Sequence, residues 1–470
     1  YLFAASSWPG GLPPNLQGIW NERVNPPCDC DYHMDLNVQM ALWHAPTGNL
    51  LEYHDPFFRL LDGMVSGARK NARHFFEMRG LAFPCKSYGQ GEGHHRTDAW
   101  VGTSGWLMEH CWKHWRYTLD ETFLRERCYP LHRDVSRFYL DYLVEDHGRL
   151  IIIPSESPEN RLMDRSNGQY GRNSTFDLAG FRELFTHTVN AAEQLGEEDA
   201  LIQEIRGALT KLSPSPRATD GRLREMEDYE FRKGHRHLSH MYPLFPGDEI
   251  VPESPDLFRA AYLALRHFRS WPPTGSGHEL GRFGEGAWAG WTYPLLACCH
   301  ARLGEGDEAL EMLKRYSKAF TLPSGLGLCF ETHDLGFAQN SLPEIGKWIQ
   351  IDAPLGALAA IQEMLLQSHR GVIRLLPALP KAWPEGSFRG LRAEEGFEVD
   401  AEWRRGRLRV ARLRSLLGQD CRVKLPRGVE YRITDPRGRA VRYAFDPKQR
   451  IVTFATNRGD QISTRCKYCC

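Results

Sequence analysis

The chain has 470 residues, more than one ordinary hydrophobic core organises, so one large domain with an appendage or two to three domains are expected. Lysine plus arginine equals aspartate plus glutamate at 59 each, which leaves no overall electrostatic footprint for nucleic acid or an anionic membrane and suits a neutral ligand. No apolar run approaches the roughly 20 residues of a spanning helix, and the 12 cysteines are too few and too scattered for a disulfide scaffold.

Residues 1 to about 60 hold turn formers (Pro9, Gly10, Gly11, Pro13, Pro14) and lead into a helix expected around Asp35 to Trp43. From about 57 the period is helical. Leu107, Cys111 and Trp115 fall at four-residue steps. Val135, Phe138, Tyr139, Tyr142 and Leu143 share one helical face, as do Phe181, Leu184, Phe185, Thr188, Val189 and Ala192. The run 289–303 is apolar nearly all round, and Leu355, Leu358, Ala359 and Gln362 form a further stripe. Helices without intervening strands predict an α/α architecture, a bundle or a closed toroid of hairpins. Beyond about 370 the period becomes two: Phe397, Val399, Ala401 and Trp403 alternate with polar residues. Short strands follow near 421–425, 430–433, 440–445 and 451–454, so the last hundred residues read as a small antiparallel β-sandwich.

Polar clusters that no apolar stripe explains carry the chemistry. The stretch 15–43 gathers amides, carboxylates, a histidine and aromatic rings, a composition suited to a polyhydroxylated ring, with Asp35 and Asn37 at its centre. Four others are His94-His95-Arg96-Thr97-Asp98-Ala99-Trp100, Pro154-Ser155-Glu156-Ser157-Pro158-Glu159-Asn160, His235-Arg236-His237-Leu238-Ser239-His240, and Trp348 to Asp352. The histidines could ligate zinc or bond sugar hydroxyls. HExxH is missing, and the one CxxC, Cys466 to Cys469, has no second pair nearby, so no metal is expected. Two prolines fix the loop bearing Glu159, which would make it a general acid if burial keeps it protonated, or else a helix cap. Asp352 precedes Pro354 and reads as an N-cap, a role compatible with catalysis.

Seven collinear motifs, from LQGIWN and YHMDLN through HHRTDAW, PSESPEN, GHRHLSHMYPLFPGDEI and IDAPLGALAAIQEMLLQSH to LLPALPKAWPEGSFRGLRAEEGFEVD, make the chain resemble the family 95 glycoside hydrolases, α-L-fucosidases. The resemblance implies an (α/α)6 barrel over 1–369, a β-sandwich over 370–470 and, in the family, an upstream β-domain. Tyr1 lies inside what reads as folded sequence, so an upstream region is expected, and the N-terminus tells nothing of the compartment. It implies inverting exo-hydrolysis of α-L-fucosides in oligosaccharides or glycoconjugates, without cofactor, with Glu159 as acid and Asn37, polarised by Asp352, activating water. Nothing in it fixes an oligomeric state.

Two residues of the pattern diverge. Asp35 stands where the family usually has a second asparagine, and Met226 where it has a tryptophan; the Gly284-Glu285-Gly286 loop also departs. His33 matches the fucose-preferring members, whereas galactose-tolerant ones carry threonine. Trp20, Trp100 and Trp291 are candidates for stacking on the sugar, and His94, His95, Asp98, Arg236, His237 and His240 for bonding its hydroxyls. An α-L-galactosidase, a non-catalytic sugar-binding relative and a lyase or epimerase on the same toroid are the alternatives.

Overall fold

Two kinds of helix make up most of the first 365 residues, and their packing sets the architecture. The computed structural model describes residues 1–21, 23–88, 100–158, 171–229, 235–270, 288–331, 335, 337, 348–425 and 431–466. Twelve helices are described: α1 (Leu2–Ser6), α2 (Asn37–Leu42), α3 (Asp55–Lys70), α4 (Gly102–Thr118), α5 (Glu121–Phe123), α6 (Tyr129–Tyr142), α7 (Thr175–Leu195), α8 (Ala200–Lys211), α9 (Pro255–Arg269), α10 (Thr292–Arg302), α11 (Gly306–Ala319) and α12 (Asp352–Leu365).

Helices α3, α6, α8, α9 and α11 bury one stripe each, as Phe57, Leu61 and Met64 do on α3. A fully buried side chain of this kind contributes ~1.5–3 kcal/mol. Helices α4, α7 and α10 are buried on nearly all sides. The one-sided helices therefore face solvent and the all-round ones lie inside. Helix α12 packs on α2, α2 on α4 and α4 on α7, while α10 packs on both α12 and α11. Tyr139 of α6 stacks flat on Phe181 of α7, its ring centroid 3.5 Å away. Its buried hydroxyl donates to the Val101 carbonyl at 2.9 Å and accepts from the Gly105 N–H at 2.8 Å, so no polar atom is stranded.

Two expectations fail here. The helices are interrupted by two short antiparallel pairs, β1 (Tyr32–His33) with β2 (Lys86–Ser87), and β3 (Leu143–Asp146) with β4 (Arg149–Ile152). Leu143 thus opens a strand instead of closing the α6 stripe, because His147 and Gly148 both adopt positive φ and turn the chain back. Leu358 is 40% exposed; three residues on from Leu355, it falls on the flank of α12 away from the core.

The remaining strands are β5 (Leu366–Gln367), β6 (Ile373–Leu375), β7 (Glu385–Ala393), β8 (Phe397–Arg404), β9 (Arg407–Ser415), β10 (Cys421–Lys424), β11 (Tyr431–Thr434), β12 (Ala444–Asp446), β13 (Ile451–Phe454) and β14 (Gln461–Cys466). They form two five-stranded sheets, ordered β12-β13-β10-β6-β5 and β11-β14-β9-β8-β7. Phe397, Val399, Ala401 and Leu413 from one share a core with Ile373, Val423, Val452 and Phe454 from the other. This is a sandwich, but not a wholly antiparallel one: β10 runs parallel to β6. The molecule is thus mainly helical with a β-sandwich region at its C-terminal side.

Candidate active site

Two of the polar clusters reach helix N-termini, those of α2 and α12, and a hydrogen bond joins these two ends. Trp100, before α4, is bonded likewise to Asp177 in the first turn of α7, while the clusters at 154–158 and 235–240 lie in the connections between helices. Helix N-termini carry partial positive charge and unpaired N–H groups, a favourable setting for carboxylates. Asn37 opens α2 and Asp352 opens α12. The Asn37 side-chain amide donates to Asp352 Oδ2, across 315 positions of sequence. Asp352 Oδ1 accepts from the Ala353 N–H at 2.6 Å. The N-cap of α12 is Ile351, with no capping side chain; the expected capping role of Asp352 is replaced by the bond to Asn37. Burial pushes the Asp352 carboxyl up to about 6, against the opposing hydrogen bonds from Asn37 and Ala353 and the charge of His33. Desolvation outweighs the helix end.

Backbone contacts hold this pair in place. The Ile351 N–H donates to the Leu16 carbonyl at 3.0 Å, laying the 15–20 loop across the start of α12. Gly18 has φ +61°, and a side chain there would run into Ile351 and Trp20. Trp20 is half-buried beside it. Gln350 N donates to Gly327 O at 3.0 Å, and Gly290 N to Cys329 O at 2.8 Å. A side chain at Gly290 would meet the Leu328 carbonyl at 2.1 Å, so the close approach that brings in Trp291 requires glycine.

Around Asn37, His33 pairs with Asp31. Burial alone would lower the His33 pKa, but the Asp31 hydrogen bond and the charges of Asp35 and Asp31 raise it overall. Asp35 is 5% exposed and, with Leu36, His237 and Ser239, lines one small cavity. His237 stacks on His235 and presents an edge to Trp291, ring centroids 4.6 Å apart. His240 Nδ1 lies 2.5 Å from Glu225 Oε2. The Arg236 carbonyl accepts from Thr292 Oγ1 at 3.0 Å. The histidine loop is thus directed at carboxylate, aromatic and cavity, and among the described residues no group of three or more potential ligands could hold a metal ion.

The third cluster is described up to Pro158, and Glu159 lies outside the described residues, as do His94, His95 and Asp98. Its stem is held from below. Ser155 Oγ donates to Asp177 Oδ2 at 2.6 Å, Ser157 Oγ donates to Glu225, and Ser239 Oγ donates to the Pro158 carbonyl at 2.7 Å. Asp177 Oδ1 also accepts from Trp100 Nε1 at 2.8 Å. Burial pushes the Asp177 carboxyl up to about 7 despite the bonds from Ser155, Trp100 and Ser174. Trp100 therefore serves as a buried anchor, packed on Trp106 and Phe176, and does not offer a face for a sugar.

Asp177 and Glu225 were given no role from sequence, and Asp31 and Ser239 stood in the polar clusters without one of their own. Only Asp177 carried a local signal, the Ser174-x-x-Asp177 spacing of a helix start, where Ser174 Oγ accepts the Asp177 N–H at 3.0 Å. Met226 is fully buried against Gly171 and belongs to the packing under this loop.

Residues 1–365 match the Glycosyl hydrolase family 95 catalytic domain, and residues 367–463 match the Glycoside hydrolase family 95, C-terminal domain. The chain belongs to glycoside hydrolase family 95. It is similar to Alpha-L-fucosidase 2 of Arabidopsis thaliana, 34% identical over 431 residues that cover 87% of this chain and 47% of the relative. It is also similar to "Probable alpha-fucosidase A" of Aspergillus niger, 29% identical over 436 residues, 86% of this chain and 51% of the relative. The chain spans about half the length of these relatives. Among solved structures, the α-L-rhamnosidase of Streptomyces avermitilis complexed with L-rhamnose superposes with a TM-score of 0.50 at 12% identity, covering 91% of this chain and 38% of that one. At that identity the likeness concerns the fold alone. No described helix is long and apolar enough to cross a membrane.

Proposed function

We propose that this chain carries the catalytic centre of an inverting exo-α-L-fucosidase, built on an (α/α)6 barrel over residues 1–369 with a β-sandwich over 370–470. The carrying observation is the Asn37–Asp352 hydrogen bond, which couples a neutral amide to a buried carboxylate in a member of family 95. Water held by the Asn37 carbonyl attacks the anomeric carbon. The bond from that carbon to the leaving oxygen breaks as Glu159 donates its proton to it, and the water proton passes to Asp352 directly or through Asn37. The amide alone is too weak a base for this step. The carboxylate supplies the basicity and the amide aims the water.

His33, Trp20 and Trp291 would contact the ring, with His237, His240 and Arg236 and the 94–98 segment bonding or bracing its hydroxyls. The substrates would be fucosylated oligosaccharides or glycoconjugates, and no cofactor is required. The test is release of sugar from an aryl α-L-fucoside, with the first-formed anomer followed by proton NMR. We expect β-L-fucose first and a loss of roughly 100- to 10,000-fold in Glu159→Gln. Appearance of the α-anomer first, or an unaffected Glu159→Gln, would overturn the assignment.

One observation favours a second sugar. A buried carboxylate at Asp35, beside His33, could accept a hydrogen bond from a hydroxyl that a methyl group cannot supply. L-Galactose carries that hydroxyl at C6 where L-fucose has a methyl. If Asp35 reads it, Asp35→Asn lowers kcat/KM for an aryl α-L-galactoside relative to the fucoside by about tenfold or more. An unchanged ratio removes the galactoside reading.

A further inference from the structure

The equality of acidic and basic residues hides a strong polarity. Residues 366–470 hold 23 lysines and arginines against 11 aspartates and glutamates, a net +12, and the first 365 residues carry the balancing −12. Part of this positive charge is concentrated on the outer face of the sheet β11-β14-β9-β8-β7. Strand alternation turns Ala411 and Leu413 into the core and Arg412 and Arg414 outward. Together with Arg432, Arg437 and Arg465 they line a groove of about 630 Å³ running across the strands.

Only two of these five arginines have a carboxylate partner among the described residues. Arg412 pairs with Glu402 at 2.9 Å, and Arg414 reaches Glu398 at only 3.9 Å. Among the described residues, Arg432, Arg437 and Arg465 have no carboxylate within ion-pair distance. Arg432 and Arg465 are direct partners across β11 and β14. Like charges opposite one another on neighbouring strands cost stability, a cost that an anion lying over the pair would relieve.

The other lining groups narrow the class of anion. Glu398, Asp400 and Asp435 face the same groove, and Gln461, Ser463 and Thr434 stand between the charges. Duplex nucleic acid, with one phosphate per about 1.7 Å, would meet repulsion from these carboxylates and leave the amide and hydroxyls without matching partners. A polymer with spaced anionic groups and many hydroxyls uses both sets: guanidiniums hold the anions, while carboxylates and the amide accept from hydroxyls. We propose that this groove binds an acidic polysaccharide, one bearing carboxylate or sulfate groups on otherwise hydroxylated rings.

Affinity electrophoresis of the whole chain in gels containing polygalacturonate, dextran sulfate, neutral dextran or duplex DNA tests this. Retardation by at least one anionic polysaccharide and not by neutral dextran is expected, and which of the two acts better separates carboxylate from sulfate recognition. Arg437 and Arg465 are exposed, so the double variant Arg437→Glu with Arg465→Glu should fold, a point checked by an unchanged Tm, and bind roughly tenfold more weakly. Arg437→Lys with Arg465→Lys should keep most of the retardation. The proposal is overturned if neither anionic polysaccharide retards the protein, if neutral dextran does so equally, if the charge-reversed variant is retarded like the parent, or if DNA binds more tightly than both at equal charge concentration.

Discussion

Asp352→Asn lowers turnover of an aryl α-L-fucoside by roughly 100- to 10,000-fold and, at the same time, raises the melting temperature at pH 7.5. The two effects have one origin. Asp352 is 1% exposed, and burial lifts its carboxyl from an ordinary 3.8 to about 6. A carboxyl with a raised pKa binds its proton more tightly in the folded state, so its ionised form opposes folding. That cost is absent below the ordinary pKa, grows as pH rises through the interval from 3.8 to about 6, and is fully present above it, at on the order of 3 kcal/mol. Asparagine has the same shape and carries no charge; its one oxygen can accept from Asn37 while its NH2 faces the Ala353 N–H, a lost bond that offsets only part of the gain. The variant's gain in Tm should therefore be present at pH 7.5 and vanish near pH 4. In the parent, kcat/KM should fall on the acid side with an apparent pKa near 6, because only the ionised carboxylate can take the water proton. A variant destabilised at pH 7.5, or one that keeps full turnover, would contradict the role given to this residue.

Asp177→Ala is expected to be the most destabilising single change near the site, by about 3–5 kcal/mol, read as a drop in denaturation midpoint. Asp177 is fully buried and accepts from Ser155 Oγ, Trp100 Nε1 and, at 3.3 Å, the Glu156 N–H. Alanine takes the acceptor away from the Ser155 hydroxyl and the Trp100 N–H, both buried. Because the same bonds fix the stem of the loop that leads to Glu159, turnover should fall even at temperatures where the variant remains folded. Asp177→Asn presents N–H groups to donors but also removes a charge that burial disfavours, two opposed effects at pH 7.5, so its midpoint should stand well above that of alanine. If Asp177→Ala keeps both its midpoint and its kcat, the loop is held by other means.

These expectations depend on how much the chain itself declared. Local patterns fixed the helical stripes of α4, α6 and α7 and the alternation of β8, because the 3.6- and 2-residue periods are properties of a few consecutive side chains facing one core. Phe397, Val399, Ala401 and Trp403 are all buried, as alternation requires. The polar clusters were visible for the complementary reason: a run such as His235 to His240 has no apolar stripe to place it. The motifs also carried the family resemblance, and the family match over residues 1–365 agrees with it.

The partnerships were not legible. Nothing local couples Asn37 to Asp352, Ser157 to Glu225 or Trp100 to Asp177, since each bond joins segments far apart in sequence that only packing brings together. Trp100 and Trp291 looked alike in sequence, and the fold made the first an anchor in the core and set the second against His237. Asp352 read as a cap because its neighbours are those of a helix start; the carboxylate turned to Asn37 instead because α12 packs on α2. The parallel pairing of β10 with β6 and the opposed Arg432 and Arg465 likewise depend on strand order, which periodicity does not encode. The sequence determined which residues were polar, periodic and available, whereas the tertiary structure decided which of them lose water together, and desolvation sets the carboxyls of Asp352 and Asp177 apart from ordinary ones.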